Sequence, residues 1–316
     1  MKTIDITLKH FLPWTHLRSV VSRLQPVLSV QEEFTVLVDL TELTFISPPC
    51  LAALAAALEY ARRHHLFKGP GYMRRPKATQ LEHFLERVDF YKLLDMKTDE
   101  SFSRQPSAGR FRELTRVSDE ELGNSVSDQI AEVLTDPGRG IRFDAAASGV
   151  LRMMLWWGLV ELMNNVFNHS ESPFGAIASA QSLPGSHAIE ACVVDCGLGV
   201  RRSLARVPEY QRLAAGEALR MAVEKGVTSQ PGNHTGEGLY WLRRIIEENS
   251  GRLTVLSEDR VLSLTSRGIR VSDFPPWPGT LVSMRLDCRR PIDIQRLFAV
   301  PTAEQLELRV DDLFVE

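Results

Sequence analysis

Cysteine is scarce, with four residues in 316, at positions 50, 192, 196 and 288. Their spacing gives neither a paired disulfide framework nor the doublets of a zinc site. Cys192 and Cys196 lie in EACVVDC, which reads as a strand pointing both thiols to one face with Val194. No histidine or second cysteine pair accompanies them, so they read as small core residues. Long hydrophobic runs are missing too: VLRMMLWWGLV is broken by Arg152 and falls short of the ~20 residues a membrane span needs. The opening MKTIDITLKHFLPW lacks the basic-then-apolar pattern of a secretory leader. Net charge is nearly absent, 37 basic against 40 acidic side chains, so no global field draws the chain to nucleic acid or a membrane surface. The local cluster Arg62-Arg63-His64-His65 reads as a solvated helix end. Repeats and low-complexity tracts are also lacking. These absences together describe a cytoplasmic protein with reduced thiols, no membrane partner and no nucleic-acid partner.

What the chain does have is a 44% hydrophobic composition and enough length for two domains. Apolar residues give way to small, polar, Pro and Gly residues in KTDESFSRQPSAGR, which reads as a linker at 97–110. Before it, periodicity predicts a strand near 3–8, a helix over 14–28, the strand FTVLVDL, and the helices LAALAAALEYARRHH and TQLEHFLERVDFYKLL. That alternation points to a small α/β domain over 1–96. Beyond the linker, FRELTRV reads as a strand and 118–135 as a helix opening on Ser118 with Glu121 as a capping box. The helix stops at DPGRG. A long helix is expected from about Asp144 to His169, then strands IASAQS and AIEACVVD around the turn LPGSH, and a Gly-broken region. The helix LYWLRRIIEENS should stop at Gly251. Strands RLTVLSED, RVLSLTS and GTLVSMRLD would close a two-layer α/β sandwich over 111–288, leaving a tail at 289–316 with no assigned role.

Three stretches carry chemistry. On the long helix, Glu161, Asn165 and His169 follow each other at i, i+4 and i+8, one turn apart on one face. Leu159, Val160, Leu162, Met163, Val166 and Phe167 fill the other faces, and Asn164 reads as a helix-surface residue. A carboxylate one turn before a carboxamide can build a metal–phosphate site, because an amide oxygen suits Mg²⁺ and a carboxylate can hold a hydroxyl or water. In VVDCGLGVRRSL a strand delivers Asp195 to the interior just before Gly197 and Gly199. A buried aspartate needs a partner, and the exocyclic amine of adenine is one, although an ordinary Asp-Gly turn has the same letters. In GVTSQPGNHTGEGLYWLRRII a flexible run leads into Gly236-Glu237-Gly238-Leu239 at a helix start, where backbone N–H groups and the helix dipole favour phosphate.

The order ExxxN, DxGxG, GxGL and a strand opening on Gly279-Thr280 resembles the GHKL-type ATP-binding domain (Bergerat fold). Histidine kinases, DNA gyrase, the ninety-kilodalton heat-shock chaperone and mismatch-repair ATPases share that domain. ELMNNVFNHS is similar to its N box, VVDCGLGV to its first glycine box, HTGEGLYWLRRIIEENSGRL to its second and PGTLVSMRL to its last strand. The resemblance implies ATP and Mg²⁺ as cofactors, with Asn165 as metal ligand and Glu161 as catalytic base or water-orienting carboxylate. It also implies Asp195 on the adenine amine with Thr280 in support, and Gly197 and Gly199 shaping the pocket. Gly236, Gly238 and Leu239 would sit at the phosphates, His169 would line the site, and 200–235 would be the lid. Asn168 stands where many histidine kinases have lysine, which removes a phosphate-facing cation and leaves Arg201, Arg202 and Lys225 as candidates to replace it.

FTVLVDLTELTFISPPCLAALAAALEYARR, with TQLEHFLERVDFYKLL as closing helix, resembles the STAS (anti-sigma-factor antagonist) pattern. That family's phosphoacceptor position falls on Pro48, which has no hydroxyl, and Ser47 is one place early. The resemblance implies a non-phosphorylated interaction module that binds a protein partner, a STAS or anti-sigma-type regulator among the candidates, with a homodimer left open. Three uses of the nucleotide site fit: a serine kinase like the anti-sigma kinases, a hydrolytic switch, or a non-catalytic ATP-responsive scaffold. A sensor histidine kinase would need a dimerising helix pair with an acceptor histidine, and the helices before the site offer none.

Overall fold

In the computed structural model, the described residues are 1–298 without 69–70, 99–102, 105, 137–140, 142–144 and 233–234. The stop at DPGRG, the helix start at Asp144, part of the linker and most of the tail lie outside them. Within the first 96 residues the alternation produces parallel strands. They are β1 (Lys2–Thr7), β2 (His10–Leu12), α1 (Leu17–Leu28), β3 (Phe34–Asp39), β4 (Leu43–Ile46), α2 (Pro48–Arg63) and β5 (Tyr72–Arg74), followed by α3 (Thr79–Arg87) and α4 (Phe90–Leu93). The strands form a parallel sheet β1-β3-β5 and a parallel pair β2-β4. The single helix expected over 79–94 is two, because Asp89 takes the left-handed conformation (φ 59°).

The second half is an antiparallel sheet in the order β6-β7-β8-β10-β9. Its elements are β6 (Phe111–Val117), α5 (Glu120–Leu134), α6 (Ala145–His169), β7 (Ala176–Leu183), β8 (Ala188–Val194), α7 (Val200–Leu204), α8 (Ala215–Met221), α9 (Gly238–Asn249), β9 (Arg252–Thr265), β10 (Gly268–Asp287) and α10 (Ile294–Phe298). The chain is thus mixed α/β, with parallel strands in one part and antiparallel strands in the other.

Several local expectations are corrected. Asp119, not Ser118, caps α5, its carboxylate accepting from Leu122 N at 2.9 Å. A carboxylate at this position also favours the helix dipole. The left-handed stop of α9 is Ser250 (φ 55°) rather than Gly251, and Gly251 is there because a Cβ would fall on Arg285 O. RLTVLSED and RVLSLTS are one strand, and GTLVSMRLD extends back to Gly268. Prolines in FPPWPG discourage a strand, but the register slips twice there, between Asp273, Trp277 and Thr280. Cys196 lies beyond β8, so it does not share that strand's face although it is buried.

The largest departure from a two-layer sandwich is the second face of the antiparallel sheet. On β8, Ile189, Ala191 and Val193 join the core under α5, α6 and α9, while Cys192 and Val194 join the core of the N-terminal part. Helices α1 and α2 therefore cover the opposite face. Only Tyr60, Arg62 and Arg63 of α2 escape burial, as expected for a helix apolar all round, and burying each of its leucines contributes about 2 kcal/mol. Arg62 and Arg63 are exposed, as expected of a solvated helix end, but they are also paired. Both guanidiniums pair with the buried Glu59, and Arg63 also donates to Pro173 O at 3.1 Å. Arg116 from β6 reaches Glu59 as well, at 3.2 Å. Further along, Gln25 of α1 donates to Pro276 O at 2.7 Å and Arg18 to Asp273 O, so α1 grips the β9–β10 hairpin. No helix among the described residues is long and apolar enough to cross a membrane.

Candidate functional site

A cavity of about 390 Å³ opens between α6, the end of β8, the 199–204 turn, the 227–229 segment and the start of α9. Glu161, Asn165, His169, Asp195, Gly199, Gly236, Gly238, Leu239 and Thr280 all line it. Gly197 does not. Its backbone packs on Ser170, where a Cβ would meet Ser170 O, and its N–H donates to Asp195 Oδ1 at 2.8 Å. Asn164, read as a helix-surface residue, borders the cavity together with Asn168.

Helix α6 presents the first group because 3.6 residues per turn stacks Trp157, Glu161, Asn165 and His169 on one stripe. Burial raises the Glu161 pKa, with the Trp157 indole pulling against it. The carboxylate lies over Gly238, where a Cβ would fall on Glu161 Oε2, so a side chain there would push the carboxylate aside. Asn164 Oδ1 and Asn165 Nδ2 are buried without a hydrogen-bond partner. Such atoms are costly unless a ligand satisfies them.

The floor is Asp195, 2% exposed. Burial pushes its carboxyl up to about 7, against the N–H groups of Gly197 and Thr280. The backbone holds it firmly: Asp195 N donates to Thr280 O at 2.9 Å and Trp277 Nε1 donates to Asp195 O at 2.9 Å. Gly279 (φ 88°) allows this, since a Cβ there would strike Asp195 Oδ1. Thr280 follows directly and faces the cavity.

The stretch expected as a lid contains, among its described residues, the short helices α7 and α8, which its glycines did not announce. Its stems meet the end of α6: Ser203 Oγ donates to Ser229 Oγ at 3.0 Å, Ser229 Oγ pairs with His169 Nδ1 at 2.9 Å, and Gln230 Nε2 donates to Asn168 O at 2.6 Å. Ser203, Ser229, Trp157 and Trp241 also line the cavity. Trp157 was legible as the residue one turn before Glu161, whereas nothing local marks Ser229.

A search against protein-family models, curated proteins and solved structures finds no match. The site is therefore read on its own chemistry.

That chemistry suits a ligand with an apolar, hydrogen-bonding end and an anionic end. Asp195 and Thr280 supply polar groups beside Val193 and Val282, while Gly236 and Gly238 bring a helix start to the other end. None of the replacement cations reaches the cavity. Arg201 pairs with Glu258 at 2.8 Å and Lys225 with Glu237 at 3.3 Å, and among the described residues no lysine or arginine lines the cavity. Among the described residues there is likewise no cluster of three or more His, Cys, Asp or Glu side chains that would form a metal cage.

Proposed function

We propose that this chain is an ATP-binding regulatory protein, with a GHKL-type (Bergerat-fold) domain over 111–288 and a STAS-like module over 1–96. The observation that carries this reading is the convergence of Glu161, Asn165, Asp195, Gly236, Gly238 and Thr280, from four separate stretches, on one cavity. Asp195 accepts a hydrogen bond from the adenine amine, and Thr280 supports it. The N–H groups at the start of α9 receive the phosphates. The unpartnered Asn164 Oδ1 can accept from the water shell of a Mg²⁺ ion and the unpartnered Asn165 Nδ2 can donate to a phosphate oxygen, while the Asn165 amide oxygen would be the metal ligand. That ion, when bound, neutralises phosphate charge.

Glu161 then takes the proton of an attacking hydroxyl, from a protein serine or from water. The hydroxyl oxygen bonds to the γ-phosphorus, the bond to the β,γ-bridging oxygen breaks, and its electron pair leaves with ADP. The raised pKa of Glu161 makes it a better base than an exposed carboxylate. The STAS-like module is the partner-binding part. A non-catalytic ATP-responsive scaffold is the second reading, favoured by the lack of a lysine or arginine in the cavity lining among the described residues.

Mg-ATP at 100 times its dissociation constant should add about 2.7 kcal/mol of stability, read as a rise in Tm. Asp195→Asn and Asn165→Ala should each abolish that rise, and its persistence in both sinks the site. Glu161→Ala should keep the rise and lose turnover. γ-Labelled ATP with candidate partners separates the chemistries: labelled protein means kinase, free phosphate means ATPase, and binding with neither means scaffold.

A further inference from the structure

We propose that α10 completes the catalytic end of the pocket: Phe298 clamps Trp157, and Trp157 positions Glu161. This rests on the phosphoryl-transfer reading above. The rings of Trp157, Trp241 and Phe298 form a closed triangle, with centroids 5.9, 6.3 and 5.1 Å apart. Aromatic pairs at such spacings attract beyond simple burial. Trp157, Glu161 and Trp241 all line the cavity, Trp157 lies one turn before Glu161, and the nearby indole pulls the carboxyl's pKa down against burial. On its other side Glu161 meets Gly238. The carboxylate is thus held between an indole and a helix start, and the indole is held in turn by a ring from the far end of the chain.

A five-residue helix has no stability of its own in water. α10 is held by contacts: Leu297 is buried, and the Arg244 guanidinium donates to Arg296 O at 3.3 Å and Leu297 O at 3.2 Å. Asn249 Nδ2 donates to Asp287 O and Arg290 O, fixing the approach from β10. The hydrogen bonds that hold the floor at Asp195 come from other groups, Gly197, Trp277 and Thr280. Loosening the ring triangle should therefore change the reaction step and leave nucleotide binding intact. Placing a base within hydrogen-bond reach of its hydroxyl is worth more than its proximity alone, because small misplacements are costly in rate.

The test uses the full chain and Mg-ATP, with kcat and KM for label transfer or phosphate release and Kd by calorimetry. Phe298→Ala should lower kcat about tenfold with Kd and KM within about twofold, and Phe298→Tyr, which keeps the ring, should restore it. Trp157→Phe should lower kcat similarly, and the double variant should fall no further than either single one, because both act through one contact. A wild type that turns over while Phe298→Ala equals it overturns this inference alone. Loss of kcat, KM and Tm together, or additive effects in the double variant, overturns it by showing a merely structural role. A wild type that neither transfers nor hydrolyses overturns the parent reading and this inference with it.

Discussion

Two helices begin at positions where the resemblances place phosphate chemistry, and they begin in opposite ways. Helix α2 opens on Ser47-Pro48-Pro49, with Ser47 3% exposed and both prolines buried. Proline has no N–H, so part of the anion-attracting end is missing. Pro48 borders a narrow crevice with Leu51, Phe111 and Ala180, and Pro49 another with Trp14, Glu190 and Arg252. Helix α9 opens on Gly236-Glu237-Gly238, and both glycines face the cavity. The dipoles are the same. Residue type and covering layer decide which end a ligand can reach, and the start of α2 lies against the antiparallel sheet of the second half.

The open end should be the more fragile. Gly236 sits at φ 69°, and a Cβ there would lie 2.7 Å from Gly226 C and 2.8 Å from the Val227 backbone. Gly236→Ala should cost about 4 kcal/mol in urea unfolding and abolish the ATP-induced rise in Tm.

At the sealed end, Glu190 is buried beside Pro49, and burial pushes its pKa to about 7 despite Arg285 and Arg252. Between about pH 4.5 and 7 the folded state holds a proton that the unfolded state releases. Stability from this group therefore falls as pH rises through that window, by about 3 kcal/mol in all. Glu190→Gln should match the wild type below about pH 4.5 and exceed it by about that amount at pH 8. A gap that does not widen with pH in urea titrations would contradict the burial.

Pro48→Ser restores a hydroxyl at the matching position but puts it in an apolar crevice. It should cost about 1–2 kcal/mol and stay unmodified after Mg-ATP by mass spectrometry. The smallest effect is expected at Ser47, whose Oγ is buried without a cap bond. Ser47→Ala should change stability by less than about 0.5 kcal/mol, unlike an ordinary N-cap loss of about 1 kcal/mol.

The open end was readable because its determinants are local. One stripe on α6, an aspartate ending a strand and glycines before a helix each announce themselves within ten residues, and nine of the ten named positions line the cavity while Gly197 does not. The start of α2 was hidden because the apolar run places it at Leu51, whereas the helix begins at Pro48 and prolines suit a first turn. Its all-round burial depends on a sheet more than a hundred residues away. The same holds for Trp157, Trp241 and Phe298, whose meeting depends on tertiary packing, and for the β10 stretch through Pro275, Pro276 and Pro278, where register slips override the usual effect of proline. Ser229 against His169 had no local sign either.

The covering of α2 also has a consequence during synthesis. The helix is complete at Arg63, but β8, which packs across its apolar surface, begins at Ala188. At ribosomal rates the intervening chain takes on the order of ten seconds to emerge. For that interval Leu51, Leu54 and Leu58 have only their own half of the protein against them. Until translation delivers the sheet, that surface of α2 lacks the cover it has in the folded protein.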